Sequence, residues 1–593
     1  MNYYGFYTGQ IFNAYEYLGA HLENGGVTFR TFAPNANAVN LLFRNEEIPM
    51  NKVHDGNFYE IHIDDAKEGE TYEYKIYAYN SSQAHADPYG YGMELRPDHK
   101  SVIRDNYSYT FTDNDWMMRR SNNIDNALNI YELHLGSWRK NDDNWYNYEE
   151  IADLLIPYLK ESGYNYVEFL PISEHPCDES WGYQNTGFYS PTSRYGTMNN
   201  LKKMIDKLHN NNIGVILDFV PVHFAVDDYG LAKYDGSALY EYPHNDVGVS
   251  EWGSYNFMHS RGEVRSFLQS SANYWLKEYH FDGLRLDAIS RIIYWQGDEK
   301  RGVNGNAVEF IKYMNRELKN LNKGIMLIAE DSTNFPNVTK SPDEGGLGFD
   351  YKWDMGWMHD TLNYFKLPPN ERYANYHKLT FSMMYFYNEQ YLLPYSHDEV
   401  VHGKATILQK MYGDYDNKFP QGRAMYMYMM LHPGKKLNFM GNEIGQLREW
   451  DEKREQDWML RDFPIHDTFY NYMKILNNIY LNEPALSEDY KEINFSWLDC
   501  HSEDKCIYSI KRSSSKDKTE KIIGIFNFSD NYHEGYRLHI DDNNFNPDNL
   551  TVVLNSDYKK YGGNTNDDET IYYIENDDLV INIPAFTGIL LKY

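Results

Sequence analysis

The sequence predicts a multidomain protein with a central (β/α)8 TIM barrel, an amino-terminal β-sandwich and a carboxyl-terminal all-β domain. The chain has 593 residues, which is too many for a single hydrophobic core. Both ends consist of short alternating segments. The middle alternates apolar strand-like segments with helix-like ones, which is typical of a parallel sheet with crossover helices. The predicted domains are residues 1–115, 116–486 and 487–593.

The two terminal domains are predicted from apolar and polar residues that alternate between turn-forming clusters of Gly, Asn, Pro and Asp. In the amino-terminal sandwich the expected strands are residues 27–32, 38–43, 58–63 and 71–77. In the carboxyl-terminal domain they are residues 507–510, 522–528, 551–554, 579–583 and 587–591, with an exposed hairpin loop at 513–521.

The barrel is predicted from seven strand candidates with helix-like segments between them, and its closing strands are the least distinct. The strand candidates are residues 130–135, 166–170, 214–219, 283–287, 324–330, 391–396 and 436–440. Helices are predicted at residues 148–159, 201–210, 263–279 and 306–318.

The amino-acid composition argues against some classes of partner and favours one class of substrate. The formal charge of −31 argues against a nucleic acid or an anionic membrane as partner and suits a neutral substrate. The 56 Tyr and 12 Trp carry flat rings that stack on sugars, so a carbohydrate substrate is expected. The cysteines lack disulfide or metal-ligand spacing, no apolar run is long enough to span a membrane, and no secretory leader is evident. A cytoplasmic protein is therefore expected.

The segment FDGLRLDAI at residues 281–289 is the centre of the predicted site. It has the pattern of a short buried strand that ends in Asp287. Arg285 has the same strand parity and can supply the countercharge that a buried carboxylate needs. The two residues form either a structural ion pair or a nucleophilic carboxylate that its arginine keeps ionised.

Two further strand candidates lead into acids. Glu330 ends the candidate at 324–330, and Asp398 follows the candidate at 391–396. The spacing from Asp287 to Glu330 fits about one βα unit plus a loop, and that from Glu330 to Asp398 fits about two. All three acids should therefore lie at the same end of the barrel. One acid at a strand end is commonly structural, but three with this spacing favour catalysis.

Two carboxyl groups about 5 Å apart allow retaining glycosyl chemistry, in which one attacks the anomeric carbon and the other protonates the leaving oxygen. We assign Asp287 as the nucleophile because Arg285 favours its anion. Glu330 is assigned as the acid/base because its apolar strand favours the form that carries a proton. Asp398 would hold substrate hydroxyls and stabilise positive charge in the transition state.

Further polar residues lie at or beside the predicted strand ends, namely Asp218, His223 and His397. A lone histidine at such a position is usually structural. His223 and His397 each lie near a candidate acid, however, and this favours a role in binding substrate hydroxyls. The loop WGYQN at residues 181–185 offers a ring and amides that suit a sugar subsite, and its alternative interpretation is an aromatic packing loop.

Four segments contain the polar residues at or beside the predicted strand ends: DFVPVH at 218–223, GLRLD at 283–287, AEDS at 329–332 and SHD at 396–398. In their residues and their order they resemble the four signature regions of the α-amylase family of glycoside hydrolases. Within the family, the 1,4-α-glucan (glycogen) branching enzymes are the most similar in other segments. These include YELHLGSW at 131–138, HDEVVHGK at 397–404 and FMGNE at 439–443, so the resemblance covers nearly the whole chain.

The resemblance implies a glycogen-binding type of sandwich, a catalytic barrel and an amylase-type β domain. It implies cleavage of an α-1,4 bond and transfer of the oligoglucan to a 6-hydroxyl, which forms an α-1,6 branch in amylose or glycogen. No cofactor and no metal are implied, and a monomer is expected. The implied roles are nucleophile for Asp287, acid/base for Glu330, transition-state stabiliser for Asp398, and substrate binding for Tyr183, Asp218, His223, Arg285 and His397.

Two other functions remain open at this point. If water takes the glycosyl group, the protein is an α-amylase or a debranching hydrolase. A catalytically inactive glycogen-binding scaffold is the third interpretation, and the intact acids Asp287, Glu330 and Asp398 argue against it.

Overall fold

A computed structural model describes residues 1–516, 520–576 and 578–593. The chain folds into two compact units. The first unit comprises Met1–Asn122, His134–Ile156 and Glu168–Asp350. The second unit comprises Asn123–Leu133, Pro157–Val167 and Tyr351–Tyr593. Within the described residues, no helix combines the length and the apolar character that crossing a membrane requires.

Eight strands close into a barrel in chain order, which confirms the (β/α)8 prediction. The seven predicted strands are present, and the missed one is the sixth, which has only three residues. From first to eighth, the barrel strands are Asn129–Leu133, Tyr166–Phe169, Gly214–Phe219, Gly283–Leu286, Met326–Ala329, Tyr351–Trp353, Tyr391–Tyr395 and Lys435–Phe439.

The predicted helices are present. Met198–Asn210 begins earlier than predicted because Thr197 and Asn200 form a capping box that satisfies its first backbone N–H groups. The other long helices are Tyr148–Ser162, Gly262–Glu278, Gly305–Leu321, Met355–Lys366, Tyr415–Leu431 and Pro464–Asn482. The short helices are Tyr3–Tyr7, Asn114–Arg119, Leu135–Trp138, Asn245–Gly248, Ser290–Ile293 and Pro369–Arg372.

The amino-terminal part of the first unit contains two antiparallel sheets, as the sandwich prediction requires. Phe29 of one sheet packs against Tyr72 of the other with their ring centroids 4.9 Å apart, so an apolar core lies between the sheets. The first sheet consists of Gly19–Glu23, Gly26–Phe32, Phe58–Ile63 and Asn51–Val53. The second consists of Glu46–Pro49, Ala38–Phe43, Thr71–Ala78 and Ser81–His85, with Ser101–Val102 paired to Thr71–Ala78.

The carboxyl-terminal part of the second unit is all β, as predicted. Its two sheets share one buried cluster, to which Ile523 and Leu591 contribute from one sheet and Leu579 and Ile581 from the other. The larger sheet consists of Phe495–Ser502, Ile507–Ser513, Lys521–Asn527, Thr587–Lys592 and Thr551–Asn555. The smaller consists of His533–His539, Asp578–Ile583 and Tyr572–Glu575. The predicted hairpin loop at 513–521 includes residues 517–519, which lie outside the described residues.

A buried charge cluster ties the segment that precedes the barrel to the first unit. His209 Nδ1 lies 2.7 Å from Asp113 Oδ2, and His209 Nε2 lies 2.9 Å from Asp282 Oδ2. Trp116 Nε1 donates to Asp282 Oδ1 at 2.8 Å. Burial by itself lowers the pKa of His209, but the carboxylates of Asp282 and Asp113 outweigh it and raise that pKa to about 9. His209 therefore carries a positive charge at neutral pH.

Replacing His209 with Gln should destabilise the protein near neutral pH and remove part of its pH dependence. A raised folded pKa adds stability that is complete below the unfolded value of about 6.5 and is lost as the pH rises through about 9. The difference in the free energy of unfolding between wild type and variant should shrink by about 3 kcal/mol between about pH 6 and pH 9.5. Urea unfolding at several pH values measures it, with the exposed His539→Gln as the matched control. A difference that does not vary with pH would contradict a charged His209.

Candidate active site

Five of the predicted site residues meet around the Arg285 guanidinium in the first unit. Its Nη1 donates to both oxygens of Asp218 at 2.6 Å and to Asp287 Oδ1 at 2.9 Å, and its Nη2 donates to Glu330 Oε2 at 3.1 Å. The fifth residue, Tyr183, donates its hydroxyl to Asp218 Oδ2. The side chains of Arg285 and Asp218 are fully buried, whereas those of Asp287 and Glu330 are 14% and 16% exposed. Two acids of the cluster thus reach solvent.

Strand register explains why these residues meet. In the parallel pairing of the third and fourth barrel strands, Asp218 is opposite Arg285. The fifth strand continues the same register, and the backbone N–H of Glu330 donates to Leu286 O at 3.1 Å. Residues just past the ends of neighbouring parallel strands lie side by side. Asp287 and Glu330 occupy those positions, as the sequence predicted.

The turn after Asp287 couples the two acids. Ala288 has a φ of +46°, in the left-handed region that non-glycine residues rarely adopt, and such strain is typical of functional sites. This turn directs the Ala288 N–H to Glu330 Oε2 at 2.8 Å. Both this N–H and Arg285 contact Oε2, so Oε1 is the Glu330 oxygen that neither of these two donors contacts.

The charge of Arg285 is permanent. Burial by itself would lower its pKa, but the carboxylates of Asp218, Asp287 and Glu330 outweigh that effect and hold the pKa well above its usual value. A fixed positive charge favours the anionic form of Asp287. Asp218 neutralises the arginine from the buried side, so the cluster is an ion-pair network whose Asp287 carboxylate reaches solvent.

His223 lies directly after the third barrel strand and begins the short strand His223–Phe224. Its side chain is buried, and burial, with a smaller contribution from the Arg291 guanidinium, lowers the pKa of His223 to about 4. The ring is therefore neutral at physiological pH. Its Nδ1 has no hydrogen-bond partner among the described residues and suits a substrate hydroxyl.

The remaining two predicted residues lie in the second unit. His397 Nδ1 is 2.6 Å from Glu132 Oε1, and the His397 backbone N–H donates to Glu132 Oε2 at 3.0 Å. This contact orients the imidazole so that its Nε2 lies 3.5 Å from Asp398 Oδ1. The Asp398 side chain is 47% exposed and lies in the short 3-10 helix His397–Val400, which follows the seventh barrel strand.

Glu132 was not predicted as a site residue. It lies in the first barrel strand and is fully buried. A glutamate next to the apolar residues Ile130, Tyr131 and Leu133 was the signal that could have identified it, because a buried acid requires a specific partner.

The loop after Asp398 adopts an unusual conformation that Glu449 fixes. His402, Gly403 and Ala405 have φ values of +57°, +78° and +64°. Glu449 accepts the Gly403 N–H at 2.9 Å and the Ala405 N–H at 2.7 Å, and these bonds, Gly403 first, lower the pKa of Glu449. The carboxylate thus compensates the cost of the strained backbone near Asp398.

Replacing Glu449 with Gln should lower kcat roughly tenfold, since a neutral amide offers one acceptor oxygen for two N–H groups and small displacements of a positioned group are costly. We expect a smaller change in KM, because Glu449 fixes backbone conformation. Steady-state kinetics measure both constants. The exposed Glu492→Gln is the control, and an unchanged kcat in Glu449→Gln would show that the loop conformation does not matter.

Three family models match successive parts of the chain. The model "alpha-1,4-glucan branching enzyme GlgB, N-terminal domain" matches residues 5–89. "Alpha amylase, catalytic domain" matches residues 106–237 and 252–523, and "Alpha amylase, C-terminal all-beta domain" matches residues 497–593. The "1,4-alpha-glucan branching enzyme GlgB" of Fusobacterium nucleatum is 43% identical over 574 residues, which covers 95% of this chain and 92% of that one.

The chain belongs to the 1,4-alpha-glucan branching enzyme family. A second member of this family, from Francisella tularensis subsp. novicida, is 42% identical over 590 residues, with 94% of this chain and 91% of that one covered. The structure of the pullulanase of Anoxybacillus sp. LM18-11, solved with maltotetraose, superimposes with a TM-score of 0.76 at 16% sequence identity. The match covers 100% of this chain and 89% of the pullulanase chain. That structure shows a shared fold. The family membership confirms the resemblance in the signature segments.

Proposed function

We propose that the protein is a 1,4-α-glucan branching enzyme that cleaves an α-1,4 bond by a retaining double displacement and transfers the oligoglucan to a 6-hydroxyl. Family membership supports the activity. The observation that supports the mechanism is the single guanidinium, that of Arg285, which contacts both Asp287 and Glu330. Both acids are thus held within a few ångströms of each other, consistent with the carboxyl spacing of retaining enzymes.

In the first step Asp287 attacks the anomeric carbon from the face opposite the scissile oxygen. The bond from C1 to O4 breaks, Glu330 gives its proton to O4, and an ester forms between C1 and Asp287. Arg285 stabilises the carboxylate before the attack. The segment that carries the new reducing-end carbon remains attached to the enzyme.

In the second step the 6-hydroxyl of another glucan residue attacks C1. The C1–O6 bond forms, the ester bond to Asp287 breaks, and the hydroxyl proton passes to Glu330, which restores both acids. Asp398 stabilises the positive charge at the ring in both transition states. Tyr183, Asp218, His223, Arg285 and His397 bind and position the glucan.

Incubation of the purified protein with amylose tests this proposal. We expect α-1,6 signals by NMR and loss of iodine colour, while reducing ends stay nearly constant because each cleavage is followed by a new glycosidic bond. If reducing ends rise in step with the loss of colour and no α-1,6 signal appears, the protein is a hydrolase.

We further propose that the protein acts in the cytoplasm as a monomer on α-1,4-glucan, without nucleic acid as a partner, and that its domains divide near residues 115 and 486. The net charge of −31 supports the exclusion of nucleic acid. Light scattering coupled to size-exclusion chromatography measures the oligomeric state, and limited proteolysis measures the boundaries.

A further inference from the structure

An exposed tryptophan, Trp252, contacts His223, one of the residues of the candidate active site. The Trp252 side chain is 47% exposed although two neighbours hold its ring. The Arg291 guanidinium carbon lies 4.5 Å from the ring centroid, and the His223 ring centroid lies 5.3 Å from it. Arg291 belongs to the helix Ser290–Ile293, which begins shortly after Asp287. Trp252 is thus linked through single contacts to two elements of the candidate active site.

The backbone around this ring is fixed before any substrate binds. Ser250 N–H donates to Ser254 O at 2.8 Å, and the Trp252 N–H donates to Ser250 Oγ at 3.2 Å. Gly253 completes the tight turn with a φ of +78°. Gln184, the residue after Tyr183, donates its amide to Trp252 O at 3.4 Å. Such a pre-ordered ring can bind a ligand without the cost of ordering a loop.

The Arg291 guanidinium, which lies beside the Trp252 ring, is also held in place by hydrogen bonds. Arg291 Nη1 donates to Gln296 O at 3.0 Å, and its Nη2 pairs with Glu251. A guanidinium held near an indole in this way restrains the ring through a cation–π contact. About half of Trp252 remains accessible to solvent while the orientation of its ring is set.

The position of this loop in the family comparison is informative. The general alpha-amylase catalytic model matches residues 106–237 and resumes at 252, so residues 238–251, which lead into Trp252, are not part of the match. Hydrolases and transferases form the same glycosyl-enzyme, and they differ in the acceptor that attacks it. A residue that selects the acceptor can therefore lie beside a segment in which the chain departs from the general catalytic model, and Trp252, the first residue of the resumed match, borders such a segment.

We propose that Trp252 is the surface on which the acceptor glucan stacks, and that it thereby favours a sugar hydroxyl over water in the second step. This inference rests on the proposed branching activity. The flat apolar ring matches the apolar face of a pyranose. A stacked acceptor raises the local concentration of its 6-hydroxyl, which takes the glycosyl group from Asp287 as its proton passes to Glu330.

Two matched variants of the full chain test the inference. Trp252→Leu keeps an apolar side chain and removes the flat ring, whereas Trp252→Phe keeps a flat ring. We measure the ratio of reducing ends released to α-1,6 bonds formed on amylose. In Trp252→Leu the ratio should rise about tenfold, which corresponds to a lost contact of about 1.4 kcal/mol. In Trp252→Phe it should stay near the wild-type ratio. The exposed Tyr532→Ala is the control for a distant aromatic residue.

The outcomes separate this inference from the proposed function. If the wild type forms no α-1,6 bonds, the branching activity itself is wrong. If the wild type branches and Trp252→Leu keeps the same ratio at any overall rate, the ring does not select the acceptor and the inference is overturned. Circular dichroism of both variants establishes that they fold, and the Phe variant tests the ring requirement independently of the Leu variant.

Discussion

Replacing Asp287 with Ala should lower turnover of amylose by on the order of 10⁴-fold or more, because the atom that forms the covalent bond to the sugar is absent. Glucan binding should persist, since Asp218 and Glu330 still contact Arg285 and the buried guanidinium keeps carboxylate partners. Branching assays measure the rate, and affinity electrophoresis in glycogen measures the binding.

Added azide tests whether Asp287, and not another residue, is the nucleophile. A small anion can enter the space that the Asp287 carboxylate vacates and attack the anomeric carbon from the same face, which inverts its configuration. Azide should therefore restore part of the activity of Asp287→Ala and yield a β-glycosyl azide. Azide added to Glu330→Ala should yield the α product, because there it replaces the acceptor. A rate unchanged in Asp287→Ala, or an α-azide from it, would show that another residue is the nucleophile.

Replacing Arg285 with Met should destabilise the protein by about 3–5 kcal/mol, the cost of leaving a buried charge without its partner. Asp218 is the residue affected most, because its side chain is fully buried and both its oxygens accept from Arg285. Activity should be lost as well, since Asp287 and Glu330 lose a shared donor. Urea unfolding and branching assays measure the two effects.

A second substitution separates the two ways in which Arg285→Met can destabilise the protein, namely the unpaired charge of Asp218 and the lost packing of the arginine side chain. Adding Asp218→Asn to Arg285→Met removes the unpaired anion, so the double variant should recover part of the lost stability without recovering activity. Arg285→Lys keeps the charge but lacks the planar fork that reaches several acids, and its stability loss should be smaller. An Arg285→Met protein that unfolds at the wild-type urea concentration would mean that the network adds no stability.

The fold was predictable where periodicity was long enough to recognise. The sixth barrel strand, Tyr351–Trp353, was missed because it pairs with the seventh through only two residues, Lys352 and Trp353, and so short a segment shows no alternation. Phe495–Ser502 was missed for a different reason. Its pairing shifts register twice and its side chains are nearly all half-buried, so the two faces of the strand do not differ clearly in polarity.

The site was predictable to the extent that position along a strand determines position in space. Asp287 and Glu330 were identified because each follows a barrel strand directly. Glu132 and Trp252 were not, since their importance depends on contacts with residues distant along the chain. The partner in such a contact cannot be inferred from the local sequence, whereas the end of a strand can.

The charge cluster at His209 has a practical consequence for dissecting the molecule. A shortened chain that starts at residue 116 would retain Trp116 but lose Asp113, one of the two anions that hold the imidazolium. In the truncated chain the buried His209 imidazolium would keep only one of its two carboxylate partners, that of Asp282. We therefore expect poor yields of folded material from such a truncation. Anyone isolating the barrel for expression should therefore place the cut upstream of Asp113.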